Sequence, residues 1–432
     1  MLKRIVIGVI SVTLLGLLGF VALAWRPAMA PIDPPAASEF ADAQIAKGRV
    51  LAGAGYCVVC HTRQGGESFA GGYGLRTPFG TIFSTNITPE PETGIGRWSL
   101  DAFRRAIHEG VSRDGSHLFP AFPYDHFTKV SDDDVKAIYA YVMTRPPVRA
   151  AAPANTIPFP LNIRMLQEGW KILFFRNGRY QPDMSKSAEW NRGAYLAEGL
   201  SHCGGCHTPR NLLGAERAAD AYAGAVIDEW IAPALTEANP SPLPWTRDEL
   251  FSYLRSGMSP LHGVSAGPMA PVIHVGLAAV PDDDVRAQAV YFADVDHALA
   301  RQPVMEAALK KALATSSLGS GQEHDPDARL YAAACIACHY NAGAMPLAVR
   351  PELALNSALT LSEPTNFIQV VLNGISTKDG GPGLTMPAYA RALTDTDIAR
   401  LAAYLRRTRT DRAPWVDLEK KVAAIRQDLA AR

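Results

Sequence analysis

The sequence lacks an excess of either charge. Its 432 residues carry 42 Lys and Arg against 42 Asp and Glu, so the formal net charge is zero. Without a surplus of positive charge the chain has no electrostatic footprint for nucleic acid, and we expect no nucleic-acid partner. Only one apolar run reaches the length of a membrane span. No Ser-His-Asp pattern, phosphate-binding loop or carboxylate pair indicates an independent active site.

Cysteine is scarce as well, and all six cysteines fall in three copies of one motif, C-x-x-C-H. This motif is typical of a covalently attached c-type haem, because each thiol bonds one vinyl group and the adjacent imidazole reaches the iron. A single copy would leave a zinc knuckle, a redox pair or a disulfide as alternatives. Three copies that use every cysteine predict three haems, held by Cys57, Cys60 and His61, by Cys203, Cys206 and His207, and by Cys335, Cys338 and His339.

The segments around each motif also repeat, and they predict a mainly α fold. Related helical stretches precede the motifs at residues 48–52, 193–197 and, as a trace, 328–332. Capped helices follow the motifs at residues 131–142, 281–292 and 394–405. One helix before the haem and one crossing after it is the cytochrome c arrangement. We therefore expect three tandem cytochrome c-type domains at residues 42–148 (domain 1), 188–300 (domain 2) and 322–410 (domain 3), after an N-terminal membrane segment.

The loop between each motif and its closing helix has to supply the sixth iron ligand. In domain 2 this loop carries Met269, 66 residues after Cys203, and in domain 3 it carries Met386, 51 residues after Cys335. A loop methionine is more often a core filler. Because both lie just ahead of the Asp-rich cap of the closing helix, we predict that both bind iron.

Domain 1 departs from this pattern. The matching position, 65 residues after Cys57, holds Phe122, which cannot bind iron. The nearby alternatives are histidines, and Met143 falls within the closing helix. The sequence leaves two possibilities open: His126 is the ligand, or the first haem is five-coordinate. The candidates weighed here are His108, His117 and His126.

The first 30 residues read as a signal sequence or an uncleaved membrane anchor. Lys3 and Arg4 precede an uncharged run at residues 5–25, and a small-x-small pattern follows at residues 28–30. The run is longer than a usual signal core and about long enough to span ~30 Å of hydrocarbon. We favour the anchor. The basic start predicts that the body of the chain lies on the periplasmic side of a bacterial inner membrane.

Two amphipathic segments lie outside the haem domains. Within the linker at residues 149–187, residues 161–175 are apolar at helical spacing, and we predict an inter-domain packing helix ahead of a membrane-surface role. The tail at residues 411–432 has no obvious place to pack in its own domain, and residues 406–432 carry a net charge of +4. We expect the tail to dock on a partner subunit, with anionic lipid as the alternative. Its apolar seam is Leu418, Val422, Ile425 and Leu429.

From residue 42 to 409 the chain resembles the three-haem cytochrome c subunits of membrane-bound bacterial dehydrogenases. These serve alcohol, gluconate and aldehyde dehydrogenases and molybdenum hydroxylases of the nicotinate and isoquinoline type. The Ala-Phe-Pro-Tyr form at residues 121–124 is more similar to the molybdenum branch. The stretches that carry the resemblance are residues 77–89, 94–99, 117–124, 159–162, 169–171 and 263–269.

This resemblance implies an electron-transfer subunit rather than the substrate-oxidising enzyme of a complex. Its expected partners are a catalytic dehydrogenase subunit, with a small iron–sulfur subunit as a further candidate, the membrane, and quinone or another acceptor of the respiratory chain. The alternative is a haem enzyme that reduces peroxide or a similar small oxidant at an open first haem. His108, His117 and His126 would then be its acid–base groups.

Overall fold

The computed structural model describes residues 1–316, 325–339, 345–376 and 386–430. These residues form two compact units. The first consists of Met1–Pro182, Glu198–His202 and Asn211–Ala215; the second consists of Asp183–Ala197, Cys203–Arg210 and Glu216–Arg432. The second and third C-x-x-C-H motifs thus share one unit, and the division into three domains stays a prediction.

Helices dominate the first unit, as the sequence predicted. The long helices are α1 (Leu2–Ala24), α2 (Asp42–Ala54), α3 (Leu100–Glu109), α4 (Asp132–Met143) and α5 (Gln167–Phe174). Shorter turns lie at Ala37–Glu39, Cys57–Cys60, Tyr124–Phe127 and Arg164–Leu166, and one hairpin pairs β1 (Gly74–Thr77) with β2 (Gly80–Phe83).

The second unit repeats this plan twice. Its long helices are α6 (Ala188–Tyr195), α7 (Arg247–Ser256), α8 (Asp282–Val295), α9 (Met305–Ser316), α10 (Pro326–Ala334), α11 (Thr365–Asn373), α12 (Asp395–Arg409) and α13 (Leu418–Ala430). Its hairpins are β3 (Ala225–Ile227) with β4 (Trp230–Ala232) and β5 (Met258–Ser259) with β6 (Gly263–Val264). Short helical turns lie at Leu196–Leu200, Gly204–His207, Ala218–Asp220, Met269–Pro271, Val272–Gly276, Leu277–Ala279, Ala298–Arg301, Gln302–Val304, Ile336–His339, Leu353–Leu355 and Ser357–Thr360.

The helices before and after each motif cross in contact, as a cytochrome c domain requires. The pairs are α2 with α4, α6 with α8, and α10 with α12. Glycine permits the close crossing in two of them. A Cβ on Gly48 would lie 1.9 Å from the main-chain oxygen of Ala137, and one on Gly193 would lie 2.0 Å from that of Ala287.

Side-chain caps begin the helices where the sequence places them. The hydroxyl of Ser131 accepts from the main-chain N–H of Asp134 at the start of α4, and that of Thr394 accepts from Asp397 at the start of α12. Helices α3 and α7 both end at a glycine with positive φ, Gly110 and Gly257 respectively. Each turns the chain sharply into the loop that leads toward the predicted ligand position.

The expectation that the tail has no place in its own domain is wrong. Val422 of α13 is fully buried in the core of domain 3, and Leu418, Ile425 and Leu429 pack against the same core. Arg426 adds an ion pair to Asp395 at 2.7 Å. The seam is therefore satisfied within the chain, because α11 and α12 form the surface that receives it.

Residues 161–175, which we call the bridge segment, also differ from expectation. The turn Arg164–Leu166 and α5 bury their polar residues, Glu168 and Lys171. Leu166, Ile172 and Leu173 are exposed instead. A helix that packs through its apolar face would show the reverse.

Helix α1 is long and apolar enough to cross a membrane, with a mean hydropathy of 2.6 over its most apolar window. It lies at the N-terminus, where a signal sequence can meet the same criteria of length and hydropathy. None of that window is buried within the protein.

Candidate haem-binding sites

Each C-x-x-C-H motif forms a short helical turn that follows the first helix of its domain along the chain. The turns are Cys57–Cys60, Gly204–His207 and Ile336–His339. Residues three apart share a face of a helical turn, so each motif presents both thiols on one side. All six cysteines are described and none forms a disulfide. No disulfide therefore competes with thioether bonds at any of the motifs.

A main-chain carbonyl orients each motif histidine. Nδ1 of His61 donates to the carbonyl of Thr85 at 2.7 Å, and Nδ1 of His207 donates to that of Pro233 at 2.7 Å. In the third motif the corresponding distance, from His339 to Pro351, is 3.4 Å. A histidine whose Nδ1 carries the proton offers Nε2 to a metal.

Burial sets the protonation of these groups. It raises the pKa of the Cys57 and Cys203 thiols to about 12, and the pKa of the Cys206 and Cys335 thiols to about 11. A structural zinc site takes four protein ligands, whereas each motif offers two thiols and one histidine. Burial also lowers the pKa values of the motif histidines, keeping their imidazoles neutral as iron ligation requires. The donor set suits a thioether-linked haem better than zinc.

Domains 1 and 2 share a main-chain hydrogen bond ahead of their predicted ligand positions. Ser265 donates its N–H to the carbonyl of Gly257, and Leu118 donates to that of Gly110, both at 2.8 Å. Met269 lies four residues beyond Ser265, and Phe122 lies four residues beyond Leu118. The backbone register thus gives the same correspondence as the sequence count. Met269 opens the short turn Met269–Pro271 and is partly buried.

The loop that carries Met386 is held against the third motif. Met386 exchanges two main-chain hydrogen bonds with Ile375, of 2.8 and 2.9 Å. Three residues later, the hydroxyl of Tyr389 donates to the carbonyl of Ala334, which directly precedes Cys335, at 2.6 Å. Residues 377–385 of this loop lie outside the described residues. Iron ligation by Met269 and Met386 stays a prediction.

Two of the three candidate histidines of domain 1 have both ring nitrogens engaged. His108 donates from Nε2 to the carbonyl of Val130 at 3.0 Å and accepts at Nδ1 from Arg179 at 2.5 Å. His117 donates from Nε2 to the carbonyl of Ala24 at 2.7 Å and accepts at Nδ1 from Lys171 at 3.0 Å. In this arrangement neither can bind iron.

His126 is the third candidate histidine of domain 1. It is buried and donates from Nδ1 to the carbonyl of Glu198 at 2.8 Å, which gives it the same tautomer as the motif histidines. Its ring lies 6.3 Å from that of His202, which directly precedes the second motif. Sequence reasoning did not single out His202 or the carbonyl acceptors, since no residue type marks them.

The fold and these sites define a c-type cytochrome. A family model described as cytochrome c oxidase, cbb3-type, subunit III matches residues 322–405. The fructose dehydrogenase cytochrome subunit of Gluconobacter japonicus is 36% identical over 398 residues, covering 87% of this chain and 81% of the relative. The gluconate 2-dehydrogenase cytochrome c subunit of Pantoea cypripedii is 37% identical over 402 residues, covering 90% of each. The chain belongs to the cytochrome c subunits of membrane-bound dehydrogenases.

A third relative is much longer. A nicotinate dehydrogenase subunit of Pseudomonas putida is 47% identical over 411 residues, which are 94% of this chain but only 34% of the relative. This chain therefore spans about a third of that protein. Membership of the family implies covalently bound haem iron and a catalytic dehydrogenase partner, and it confirms the predicted electron-transfer role. The alternative of a peroxide-reducing enzyme is not supported by these relatives.

Proposed function

We propose that the chain carries three haems and conducts electrons from a catalytic dehydrogenase subunit to quinone or another acceptor of the respiratory chain. The observation that supports three sites is the repeated arrangement of two thiols outside any disulfide and a motif histidine with Nδ1 turned to a main-chain carbonyl. Six cysteines anchor the haems, and His61, His207 and His339 provide the proximal nitrogens. Met269 and Met386 are the proposed axial partners in domains 2 and 3.

Haem iron supplies one-electron redox chemistry when bound at such a site. The protein's contribution is to keep the motif imidazoles neutral, hold their ring planes, and surround the sites with buried side chains. Helix α1 is proposed to anchor the chain, with the haem domains on the periplasmic side of the inner membrane.

The proposed partner is a molybdenum hydroxylase of the nicotinate type, with a small iron–sulfur subunit as a further component. The identity to the nicotinate dehydrogenase subunit and the Ala-Phe-Pro-Tyr sequence at residues 121–124 support this choice. Purifying the native complex and identifying its large subunit with mass spectrometry tests it. Co-purification of a sugar or alcohol dehydrogenase would assign the chain to another branch.

The number of haems can be counted directly. Intact-mass measurement of the purified chain should show three haem additions that survive acid–acetone extraction, because thioether bonds resist it. The double variant Cys335→Ser/Cys338→Ser should retain two additions, and the equivalent variants of the other motifs should do the same. Two or fewer additions on the wild-type chain would refute the proposal.

A further inference from the structure

The first unit confines its exposed large apolar side chains to one region beyond α1. All residues of this unit are described. Outside the helix itself, such side chains occur only at Met1 and Trp25, which flank it, at Leu212 and Leu213, and in or next to the bridge segment. Phe159 is 78% exposed; the bridge residues that are each at least 40% exposed are Leu161, Ile163, Leu166, Ile172 and Leu173. An uncovered apolar region of this kind marks an interaction surface.

The helical part of the bridge segment is amphipathic, but its polar face is buried and its apolar face is exposed. Leu166 and Leu173 are seven residues apart and therefore share a face. Glu168 and Lys171 lie on the opposite face and are buried, 7% and 6% exposed. The polar face is turned to the protein, which leaves the apolar face outward. The main-chain oxygen of Leu213 accepts from the indole of Trp170 at 3.0 Å, so the exposed pair Leu212 and Leu213 adjoins this face.

Ionic and hydrogen-bonded contacts tie the buried face to the end of α1. Arg26 directly follows the helix and its C-cap and pairs with Glu168 at 3.2 Å. Lys171 donates to His117, which in turn donates to the carbonyl of Ala24, the last residue of α1. These contacts hold the bridge segment at the level where α1 ends.

The residues at the end of α1 are of the types found at a membrane–water interface. Trp25 is 64% exposed, and Arg26 is the first charged residue after the helix. Tryptophan and basic residues concentrate where a membrane helix leaves the hydrocarbon. If α1 spans the bilayer, the bilayer surface lies at Trp25. The bridge segment lies at the same depth as Trp25.

We infer that the bridge segment lies in the interfacial layer of the bilayer that α1 crosses, with Leu166 and Leu173 at the boundary of headgroups and acyl chains. This inference rests on the proposed anchoring role of α1. The continuity of the exposed face with α1 identifies lipid as its occupant, because the window of α1 that would face acyl chains is exposed as well. Segments of this type insert by about 5–10 Å. Such a contact would hold domain 1 at the membrane surface in a defined orientation.

Lipid-phase labelling tests this placement on the unmodified holoprotein. The full-length protein is reconstituted in phosphatidylethanolamine–phosphatidylglycerol vesicles that contain a phospholipid with a photoactivatable diazirine in its acyl chain. Adducts are then located by peptide mass spectrometry. We expect adducts on peptides of both α1 and residues 161–175. Leu299 and Val226 of the second unit, 84% and 72% exposed, serve as controls and should remain unlabelled.

The outcomes separate the inference from the anchor proposal. Adducts on α1 alone would leave the anchor intact and overturn the bridge placement. Adducts on the bridge segment of a chain found to begin at Pro31 would refute the anchor and, with it, the premise that sets the depth of the bridge segment. Labelling of neither segment, or equal labelling of Leu299, would overturn the placement.

A pair of variants adds a second readout. Both side chains replaced in Ile172→Ser/Leu173→Ser are exposed, so the fold should persist. The adduct yield on the bridge segment should fall severalfold. The control Val226→Ser should not change that yield, and an equal yield from the bridge variant would contradict the inference.

Discussion

Met269 and Met386 are held by different backbone contacts, although we assign them the same role. Met386 is paired with Ile375 on both its main-chain groups, while Met269 opens a short helical turn after Gly267. A methionine ligand needs a backbone that holds its side chain in a fixed position, and both arrangements provide such a backbone. The two residues can therefore be tested one at a time.

Each Met269→Ala and Met386→Ala replacement should remove about half of the weak long-wavelength absorption band that methionine-ligated ferric haem produces, because each is expected to serve one of two such haems. Visible spectroscopy of the ferric protein measures the band. The control is Met184→Ala, at a position 92% exposed, which should leave the band intact. A band unaffected by both replacements would show that neither residue binds iron.

The first haem should be low-spin with His126 as its axial ligand. The carbonyl of Glu198 accepts from Nδ1 of His126, which gives His126 the tautomer of the motif histidines, whereas His108 is bonded at both ring nitrogens. Electron paramagnetic resonance of the ferric protein should show one haem becoming high-spin in His126→Ala. His108→Gln should leave the spin states as they are. Identical spectra for wild type and His126→Ala would show that His126 is not the ligand, and a high-spin first haem in both would indicate the five-coordinate alternative.

At the residue scale, spacing could be predicted and hydrogen-bond partners could not. Counting from the cysteines placed Phe122 and Met269 at corresponding positions, and the backbone register agrees. The engagement of His117 by Lys171 and Ala24 had no local signal, because those residues lie 54 and 93 positions away. A histidine in a loop looks the same in sequence whether its ring is exposed or fully bonded.

Among the elements, the crossings of α2 with α4 and of α6 with α8 depend on glycine. In the crossing of α10 with α12, Ala328 stands where the other two repeats have Gly48 and Gly193. This third crossing therefore leaves room for a methyl group. The repeat at residues 48–52 and 193–197 was visible in the sequence. The physical reason for its first residue required the structure: a Cβ there would lie within about 2 Å of a main-chain oxygen of the partner helix.

Gly48→Ala and Gly193→Ala should each destabilise the protein by about 2 kcal/mol, since the added methyl group meets main-chain atoms of the partner helix and forces the helices apart at a packing cost of about 3 kcal/mol. This cost outweighs the gain of about 1 kcal/mol that alanine brings to a helix. Denaturant unfolding followed by circular dichroism measures the change. The matched control is Gly178→Ala, where nothing lies within 4 Å of the new Cβ, and it should unfold like wild type. Unfolding of Gly48→Ala at the wild-type denaturant concentration would contradict the prediction.

The tail and the bridge segment show that apolar periodicity predicts a helix but not what its apolar face packs against. Periodicity correctly predicted a helix at α13, because helical spacing is a local property. It could not show that Val422 enters the core of domain 3, since that core is assembled from residues distant in sequence. For the bridge segment, periodicity identified the apolar face, but whether that face is covered depends on the rest of the fold.

At the scale of the whole molecule, the join between α1 and domain 1 bears on the processing of the chain. Met29 donates its N–H to the carbonyl of Arg113 at 2.8 Å, and the guanidinium of Arg113 donates back to the carbonyl of Met29 at 3.1 Å. The small-x-small pattern at residues 28–30 is therefore bonded to domain 1. A peptidase requires an accessible, extended backbone, and these bonds compete with it.

N-terminal sequencing of protein purified from membranes should accordingly find residues ahead of Ala30 retained. Protein extracted by detergent and protein released by salt should be sequenced side by side, and the detergent fraction should contain nearly all of the chain. A clean start at Pro31 in the detergent fraction would show that α1 is a signal sequence. Attachment to the membrane would then have to come from the bridge segment or from a partner subunit.

The hydrogen bond that orients each motif histidine ends on a main-chain oxygen, and every residue has one. Thr85 has a different side chain from Pro233 and Pro351, yet the three carbonyls serve the same purpose. Substitutions at these positions leave the acceptor in place, so an alanine scan would pass over them and sequence drift would leave the imidazole planes undisturbed. Insertions and deletions in the intervening loops would shift the oxygen. Evolution at these positions should therefore tolerate many side chains but few changes in loop length.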